Sequence, residues 1–278
     1  MDFGSMPNDG GHLSDIDAAE AERIRVSDPV AAKYLHKLVG ARELIHNEER
    51  FCLWLEGANP NDIRTSGELA KRVEAVRDLR SNSKRAATQK LASRPAEFGE
   101  IRQPRTDYIA VPGVSSENRE YVPMAVMAPE VITNNALLVV PMKSLATFAF
   151  LQSKVFAIWN AAVSGRLESR FRISATITYN TFVAPTLDEE GRQLLERGAE
   201  SVLVARSSFA YNSLADLYDA NAMPPALRRA HDNLDAAVLR AFGLSTKATD
   251  DEILATLFQR YEEATGGLFF EAPKRKRK

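Results

Sequence analysis

The sequence predicts an α+β protein in which a mixed α/β region precedes a helical C-terminal region. Short apolar segments of β type, separated by turn residues, occupy the middle of the chain. Long segments with helical spacing of their apolar residues follow Pro185. The chain has 278 residues, of which 45% are apolar, and this is enough for one large core or two smaller ones.

The first sixty residues predict a loop, two helices and a strand. The opening MDFGSMPNDGGHLSDI is rich in Gly, Asn and Asp, which favour loops. The segments DAAEAERIRV and DPVAAKYLHKLVG predict short helices, the second with Pro29 in its first turn and Gly40 at its end. RFCLWLEG predicts a strand that buries Cys52, and the Asn-Pro-Asn peptide at 59–61 predicts a turn.

The middle of the chain predicts one capped helix, several short strands and a long buried helix. SGELAKRVEAVRDLRS predicts a helix from about Ser66 to Ser81 with Arg80 on its apolar stripe. DYIAVP, REYVPMAVM, EVITN and ALLVVPM predict strands, and the prolines at 112, 123 and 129 favour edges or bends. A helix over 144–164 with Ser144 as N-cap follows, and then FRISATITYNTF predicts a strand.

The remainder predicts helices, which gives a division of the chain into four parts. The helical segments are LDEEGRQLLERGAESVLVARSSF, SLADLYD, PPALRRAHDNLDAAVLRAFG and TDDEILATLFQRYEEATG. We therefore expect a connector over 1–29, a mixed domain over 30–187, a helical domain over 188–271 and a basic tail over 272–278. The bulky aromatic residues of the apolar segments are expected in the core: Trp54, Phe148, Phe156 and Trp159.

Charge is distributed unevenly although the formal net charge is only −1. Residues 61–187 hold 17 basic and 11 acidic residues, whereas residues 188–271 hold 8 basic and 15 acidic residues. The span from Arg64 to Arg105 holds 11 basic and 5 acidic residues. Two interpretations fit this span: a surface that follows a phosphate backbone, or a solvated helix face whose charges pair at helical spacing.

The sequence contains none of the common catalytic or metal-binding motifs. Zinc-spaced cysteine pairs, an H-E-x-x-H helix, a P-loop and a G-x-G-x-x-G turn are all absent. The four histidines, at 12, 36, 46 and 231, are scattered and are interpreted as helix-face or core residues. We therefore expect no catalytic residue, no metal and no cofactor in this chain.

Several features favour a cytoplasmic location without membrane contact. The most apolar stretch, over 144–165, is interrupted by Gln152, Lys154 and Asn160, so we expect a buried helix and not a membrane span. A signal segment is not evident at the start, and the single cysteine lies in an apolar segment, as is typical of a reducing compartment.

Three charged residues alternate in GRLESRFRISATITYNTF, at Glu168, Arg170 and Arg172. On a strand these side chains would share one face. Such a face fits either a solvated surface with cross-strand ion pairs or a surface that contacts DNA bases. The residue types suit bases, because arginine can donate two hydrogen bonds to guanine and glutamate can accept one from cytosine.

Five blocks of the sequence, in order, resemble the target recognition and C-terminal regions of MmeI-like (Type IIL) restriction–modification enzymes. The opening FGSMPNDGGHL is also similar to the connector after their methyltransferase domain. The blocks are YLHKLVGARELIHNEERFCLWLEG, RVEAVRDLRSNSKRAATQKLASRPAEF, REYVPMAVM, GRLESRFRISATITYNTFVAP and LADLYDANAMPPALRRAHDNLDAAVLRAFG.

The resemblance implies sequence-specific recognition of double-stranded DNA by a chain that lacks its catalytic domains. Full-length members carry a nuclease domain, a helical connector and an N6-adenine methyltransferase that uses S-adenosylmethionine. By this resemblance, residues 1–29 are the connector, 30–187 the target recognition domain and 188–271 the C-terminal domain. The missing methyltransferase and nuclease domains are then its partners, together with DNA.

The resemblance also implies the site residues. The base-contacting set is Glu168, Arg170 and Arg172, together with a second position near Asn134, Asn135 and Ala136. Candidates for contacts to the DNA backbone are Lys84, Arg85, Lys90, Arg94, Arg102 and Arg105. The tail 272–278 fits either a phosphate-binding arm or a solvated end. The competing interpretations are a non-catalytic protein interaction module with a basic docking face and, less favoured, a complete methyltransferase with unusual motifs.

Overall fold

A computed structural model describes residues 1–266 of the chain. Its helices are α1 (Ala18–Ser27), α2 (Pro29–Ala32), α3 (Ala41–His46), α4 (Pro60–Thr65), α5 (Gly67–Ser81), α6 (Ala86–Lys90), α7 (Leu145–Leu151), α8 (Lys154–Val163), α9 (Glu189–Ser207), α10 (Leu214–Leu217), α11 (Pro225–Ala241) and α12 (Asp250–Thr265). Its strands are β1 (Asp2–Phe3), β2 (Leu35–Val39), β3 (Phe51–Leu53), β4 (Tyr108–Pro112), β5 (Val114–Ser115), β6 (Ala125–Met127), β7 (Ile132–Thr133), β8 (Leu137–Pro141), β9 (Gly165–Leu167) and β10 (Arg170–Arg172). The predicted α+β class with a helical C-terminal region is confirmed.

The largest sheet lies in the middle of the molecule with both faces buried. It is antiparallel, with strand order β1-β8-β4-β6. In β4, Ile109 and Val111 face one core cluster, while Tyr108 and Ala110 face another. This explains the continuous apolar run, because a strand covered on both sides needs no polar alternation. The expectation that Pro112 belongs to an edge or a bend and not to a central strand is wrong as regards the strand, since β4 is internal, with Pro112 as its last residue.

Most of one predicted helix is instead a strand of a second sheet. Only the first turn of DPVAAKYLHKLVG is helical, as α2, and its remainder forms β2 between β3 and β7. Leu38 and Val39 are buried in separate clusters on either side of this strand. Strand pairing and burial on both sides therefore outweigh the helical pattern. Gly40 begins the next helix, α3, and does not end one.

The opening segment, predicted as a loop, packs into the fold. Strand β1 pairs with β8, and Leu13 and Ile16 are fully buried. The buried guanidinium of Arg80, on α5, donates to the carbonyl oxygens of Pro7, Asn8, Leu91, Arg94 and Glu97. These bonds tie the opening to the segment after α6. The predicted helix α5 and its Ser66 N-cap are confirmed, whereas the Asn-Pro-Asn peptide at 59–61 is the start of α4 and not a turn.

The predicted helix over 144–164 is interrupted and forms two helices. Ser144 caps α7 as expected, and a second cap, Ser153, begins α8 by accepting from Phe156 N–H. The Ser153 hydroxyl also donates to Phe150 C=O at 2.7 Å, which closes the end of α7. Between the helices, Gln152 donates to the carbonyl oxygen of Val122 at 3.0 Å. At the break, the buried side chains of Gln152 and Ser153 are therefore both hydrogen-bonded to main-chain groups.

The C-terminal helices are confirmed, and they complete the core of the preceding domain. Helix α9 packs against α7 and α11, and α12 packs against α8. Their buried side chains share one hydrophobic cluster with β4, β8, α7 and α8. Gly198 of α9 lies against Leu234 of α11, where an added Cβ would come within 3.0 Å of the leucine Cδ1. Phe148, Phe156 and Trp159 are core residues, as predicted.

A buried polar network also joins the C-terminal helices to the preceding domain. Arg206 of α9 donates to Met124 C=O at 2.7 Å and to Gln152 Oε1 at 2.8 Å, and it also contacts the Tyr218 hydroxyl. That hydroxyl pairs with His231 Nε2 at 2.8 Å. Burial lowers the pKa of His231 to about 3, so the imidazole is neutral. His231 is thus a core histidine, as predicted.

Asp235 of α11 occupies a neighbouring buried position. It accepts hydrogen bonds from the Tyr121 hydroxyl at 2.7 Å and from Lys154 N–H at 2.8 Å. Burial raises the pKa of this carboxyl to about 6 although both donors favour the charged form. Within residues 1–266, the structure contains neither a helix that could span a membrane nor a cluster of metal-ligand side chains.

Candidate nucleic-acid interface

The alternating charges lie on a β-hairpin formed by β9 and β10. Arg170 pairs with Leu167, Phe171 with Arg166 and Arg172 with Gly165. The prediction that Glu168 lies on the same strand face is wrong, because the chain turns at Glu168 and Ser169. Glu168 has a φ of 58°, the left-handed conformation that glycine or asparagine usually adopts in such turns.

The predicted strand over FRISATITYNTF ends at Arg172. Residues Ala175–Tyr179 form a π-helical turn, in which Asn180 N–H donates to Ala175 C=O at 2.9 Å. This turn is stabilised by core contacts, since Trp159 Nε1 donates to Thr178 C=O at 3.1 Å. Phe182 packs edge-on against Phe156 with ring centroids 5.3 Å apart.

Thr178 joins the two ends of the hairpin. Its buried hydroxyl accepts from Ser174 N–H at 3.1 Å and pairs with the Ser164 hydroxyl at 2.7 Å. Ser164 immediately precedes β9, and Ser174 follows β10 by two residues. The base of the hairpin is therefore fixed to the core while its tip is exposed.

The hairpin presents different chemistry on its two faces. Directly paired residues of antiparallel strands point to one face, so Arg170 and Arg172 share a face with Leu167. On the opposite face the Arg166 guanidinium stacks on Phe171, with Cζ 3.9 Å from the ring centroid. Arg166 also donates to Ser169 C=O at 3.0 Å, which holds its charge beside the turn.

Arg170 forms an exposed ion pair with Glu168. Its Nη2 lies 2.7 Å from Glu168 Oε2, and the two side chains are 46% and 77% exposed. Exposed pairs contribute about 0 to 1 kcal/mol. Arg170 can therefore exchange this partner for another acceptor at small cost, and the Glu168 carboxylate is equally accessible.

The second predicted position adjoins this hairpin through Gly113. Gly113 N–H donates to Ala136 C=O at 3.4 Å, and Gly113 C=O accepts from Ile173 N–H at 3.0 Å. Asn134 and Asn135 form the turn between β7 and β8, in which the Asn134 side chain accepts from Ala136 N–H at 3.0 Å. The structure thus brings the two predicted base-contacting segments to one side of the fold, with Asn135 and Ala136 exposed.

The predicted backbone-contacting residues fall into two groups. Lys84, Arg85 and Lys90 are exposed on and beside α6, and Arg105 is exposed in the segment before β4. Arg94 is engaged with Gly99 C=O at 2.9 Å, and Arg102 forms an ion pair with Glu100. The first group is the better candidate for a phosphate surface, since its charges are freely available to solvent.

Two residues of the hairpin were absent from the predicted site. Arg166 continues the alternation of charges back by two positions, so the pattern itself could have included it. Leu167 could not be found from the pattern, because an isolated leucine before a charged turn resembles any strand residue. Its place beside Arg170 becomes evident only from the register of β9 and β10.

Comparison with known proteins accounts for nearly the whole chain. The family model described as the MmeI target recognition domain matches residues 1–186, and the model described as the MmeI C-terminal domain matches residues 187–269. The chain belongs to the MmeI family. The boundary between the two family models falls two residues before α9, where the helical part begins.

Two similar proteins show the extent of the match. A solved structure of the Type IIL restriction–modification enzyme MmeI in complex with DNA superposes with a TM-score of 0.89 at 37% identity, over 95% of this chain and 35% of that chain. DNA methyltransferase A of Bacillus subtilis (strain 168) is 33% identical over 265 residues, which is 95% of this chain and 30% of that protein. The chain therefore spans about a third of the length of these two proteins. The basic tail at 272–278 lies outside the described residues.

Proposed function

We propose that this chain recognises the base sequence of double-stranded DNA, as the specificity portion of a restriction–modification methyltransferase. The observation that carries the proposal is the close match in fold and sequence to a restriction–modification enzyme whose structure contains DNA. The exposed arginines on a hairpin that is anchored at its base support it.

The hairpin supplies hydrogen-bonding groups suited to the major groove. A two-stranded β-ribbon fits the width of this groove, and the exposed guanidinium groups of Arg170 and Arg172 can each bind guanine O6 and N7. Glu168 can accept from cytosine N4, and the amide of Asn135 can pair with adenine. Lys84, Arg85 and Lys90 neutralise phosphates and position the domain without selecting a sequence.

The methyl-transfer chemistry is assigned to domains outside this chain. In this proposal those domains transfer the methyl group of S-adenosylmethionine to adenine N6, and a nuclease domain cleaves unmodified DNA. The hairpin determines which site is presented to them. The chain itself requires no cofactor to bind DNA.

The test is selection of bound duplexes from a randomised pool at moderate salt, with the native chain and with Arg170→Ala. We expect the native chain to enrich a short motif. Arg170→Ala should lose selectivity at one position, with a cost of about 1–3 kcal/mol for the missing bidentate contact. Arg229→Ala, on the exposed face of α11, is the matched control and should leave the motif unchanged.

The outcomes separate this proposal from a protein interaction module. Enrichment of the same motif by Arg170→Ala would exclude Arg170 from base contact. If the native chain binds DNA without enriching any sequence, base recognition by this chain is contradicted. Absence of binding together with capture of an acidic protein partner would favour the interaction module.

A further inference from the structure

We propose that Leu167 is a further specificity-determining residue, which selects thymine by contact with its C5 methyl group. This inference rests on the proposed function, because it concerns the same hairpin and the same groove. It adds an apolar contact to a surface otherwise described by charges and amides.

The register of the hairpin places Leu167 directly opposite Arg170. Paired residues of antiparallel strands point to the same face, with Cβ atoms about 4.5–5.5 Å apart. Gly165, two residues away on the same face, has no side chain and leaves open space opposite Arg172. Leu167 and Arg170 therefore stand side by side on the face that would meet a base edge.

Leu167 has no structural role that explains an apolar side chain at this position. Its side chain is exposed at 45% of its full area, and it belongs to none of the three hydrophobic clusters formed by residues 1–266. Strand β9 is also the outer strand of its sheet, with order β5-β10-β9. The outer edge of β9 is not covered by another strand, so the Leu167 side chain is accessible to a ligand.

The chemistry of the groove identifies the ligand group. Among the base edges of the major groove, only thymine presents a methyl group, and apolar side chains are its usual partners. Leu167 would then select a thymine next to the base pair that Arg170 contacts. Arg166, on the opposite face, is held away from this contact by Phe171.

The experiment uses the full chain and the motif that it selects from a randomised duplex pool. Each thymine of the motif is replaced by uracil, which lacks only the C5 methyl group. One replacement should weaken binding of the native chain about fourfold, as expected for burial of one methyl group. Leu167→Ala should bind the thymine and uracil duplexes equally while still selecting the position that Arg170 contacts.

Val204→Ala is the matched control, because Val204 is also an exposed aliphatic residue and lies on α9. This variant should retain the full response to uracil. Equal affinity of the native chain for all uracil duplexes, or a motif without thymine, would overturn the inference. If the native chain selects a motif that relaxes in Arg170→Ala but shows no response to uracil, only the role of Leu167 is contradicted. If the native chain selects no motif at all, base recognition itself is contradicted.

Discussion

Asp235 is a buried carboxyl whose ionisation opposes folding. Its pKa rises from 3.8 to about 6 on burial, so the folded chain binds this proton more tightly than the unfolded chain does. Its contribution to stability is therefore fully present below pH 3.8 and is lost as the pH rises through about 6. The loss is about 3 kcal/mol across this window.

The prediction for Asp235→Asn concerns the pH dependence of stability. The free energy of unfolding of the native chain, relative to the variant, should fall between pH 4 and pH 6 because only the native chain carries this group. Urea titrations across this range measure the difference. A difference that stays constant with pH would contradict the assignment, and Asp232→Asn, at an exposed position of α11, is the control.

Substitutions of Glu168 test whether the backbone is strained at this residue. A non-glycine residue with φ near 58° costs about 1 kcal/mol more than glycine. Glu168→Gly and Glu168→Ala both remove the ion pair with Arg170, so they differ only in backbone preference. We expect the glycine variant to be more stable than the alanine variant by about 1 kcal/mol in urea unfolding. Equal stabilities would show that the turn is not strained.

At the level of elements, the hairpin depends on the hydroxyl group of Thr178. Replacement by valine preserves volume but leaves Ser174 N–H without its buried acceptor, at a cost of about 1–3 kcal/mol. Thr178→Val should therefore accelerate amide hydrogen exchange at Arg172 and Ile173 more than in α11. Thr178→Ser, which keeps the hydroxyl, should restore slow exchange at these amides. Uniform acceleration across the chain would instead indicate a general loss of stability.

Elements specified by local chemistry could be predicted from the sequence. Helix α5 has its cap at Ser66 and a continuous apolar stripe, and both signals lie within the element itself. Strand β2 could not be predicted, because its pairing partners β3 and β7 determine its conformation. The π-helical turn was missed for the same reason, since its β-branched residues favour a strand and its stability comes from Trp159 and Ser164.

The geometry of the candidate hairpin agrees with the sequence prediction only in part. The alternation of charges identified Arg170 and Arg172 correctly as neighbours on one strand face. It placed Glu168 on that face because Glu-Ser lacks the Asn-Gly or Asp-Gly signal of a two-residue hairpin loop, and the chain nevertheless turns there. Proximity to the Asn134 turn arises from backbone bonds through Gly113, which no sequence pattern indicates.

At the scale of the whole molecule, the basic surface around α6 predicts how binding depends on salt. Each phosphate contact contributes about 0.9 to the slope of log affinity against log salt concentration. Replacement of Lys84, Arg85 and Lys90 together by alanine should reduce the slope by about 2 to 3, without altering the selected motif. The slope is measured by titrating labelled duplex with the protein at several salt concentrations. An unchanged slope would exclude this surface from DNA contact.

The shared core predicts that both family domains unfold together. Leu234→Ala on α11 should lower the free energy of unfolding by about 3 kcal/mol, because the residue is fully buried against α9. Trp159 lies in the shared cluster and Trp54 borders the N-terminal cluster, so single-tryptophan variants report on both regions. Their transitions should coincide in native and Leu234→Ala backgrounds. Separate transitions would contradict one cooperative unit.

The dependence of α7 and α8 on α9, α11 and α12 also has a consequence during protein synthesis. The N-terminal cluster, built from residues between Leu13 and Ile132, is complete once those residues have left the ribosome. The apolar faces of α7 and α8 are not fully covered until α9, α11 and α12 have been made, and α12 ends about 100 residues after α8. At about 5–20 residues per second this exposure lasts on the order of 5–20 s. Nascent chains of this protein are therefore expected to recruit chaperones in that interval and to release them when α12 emerges.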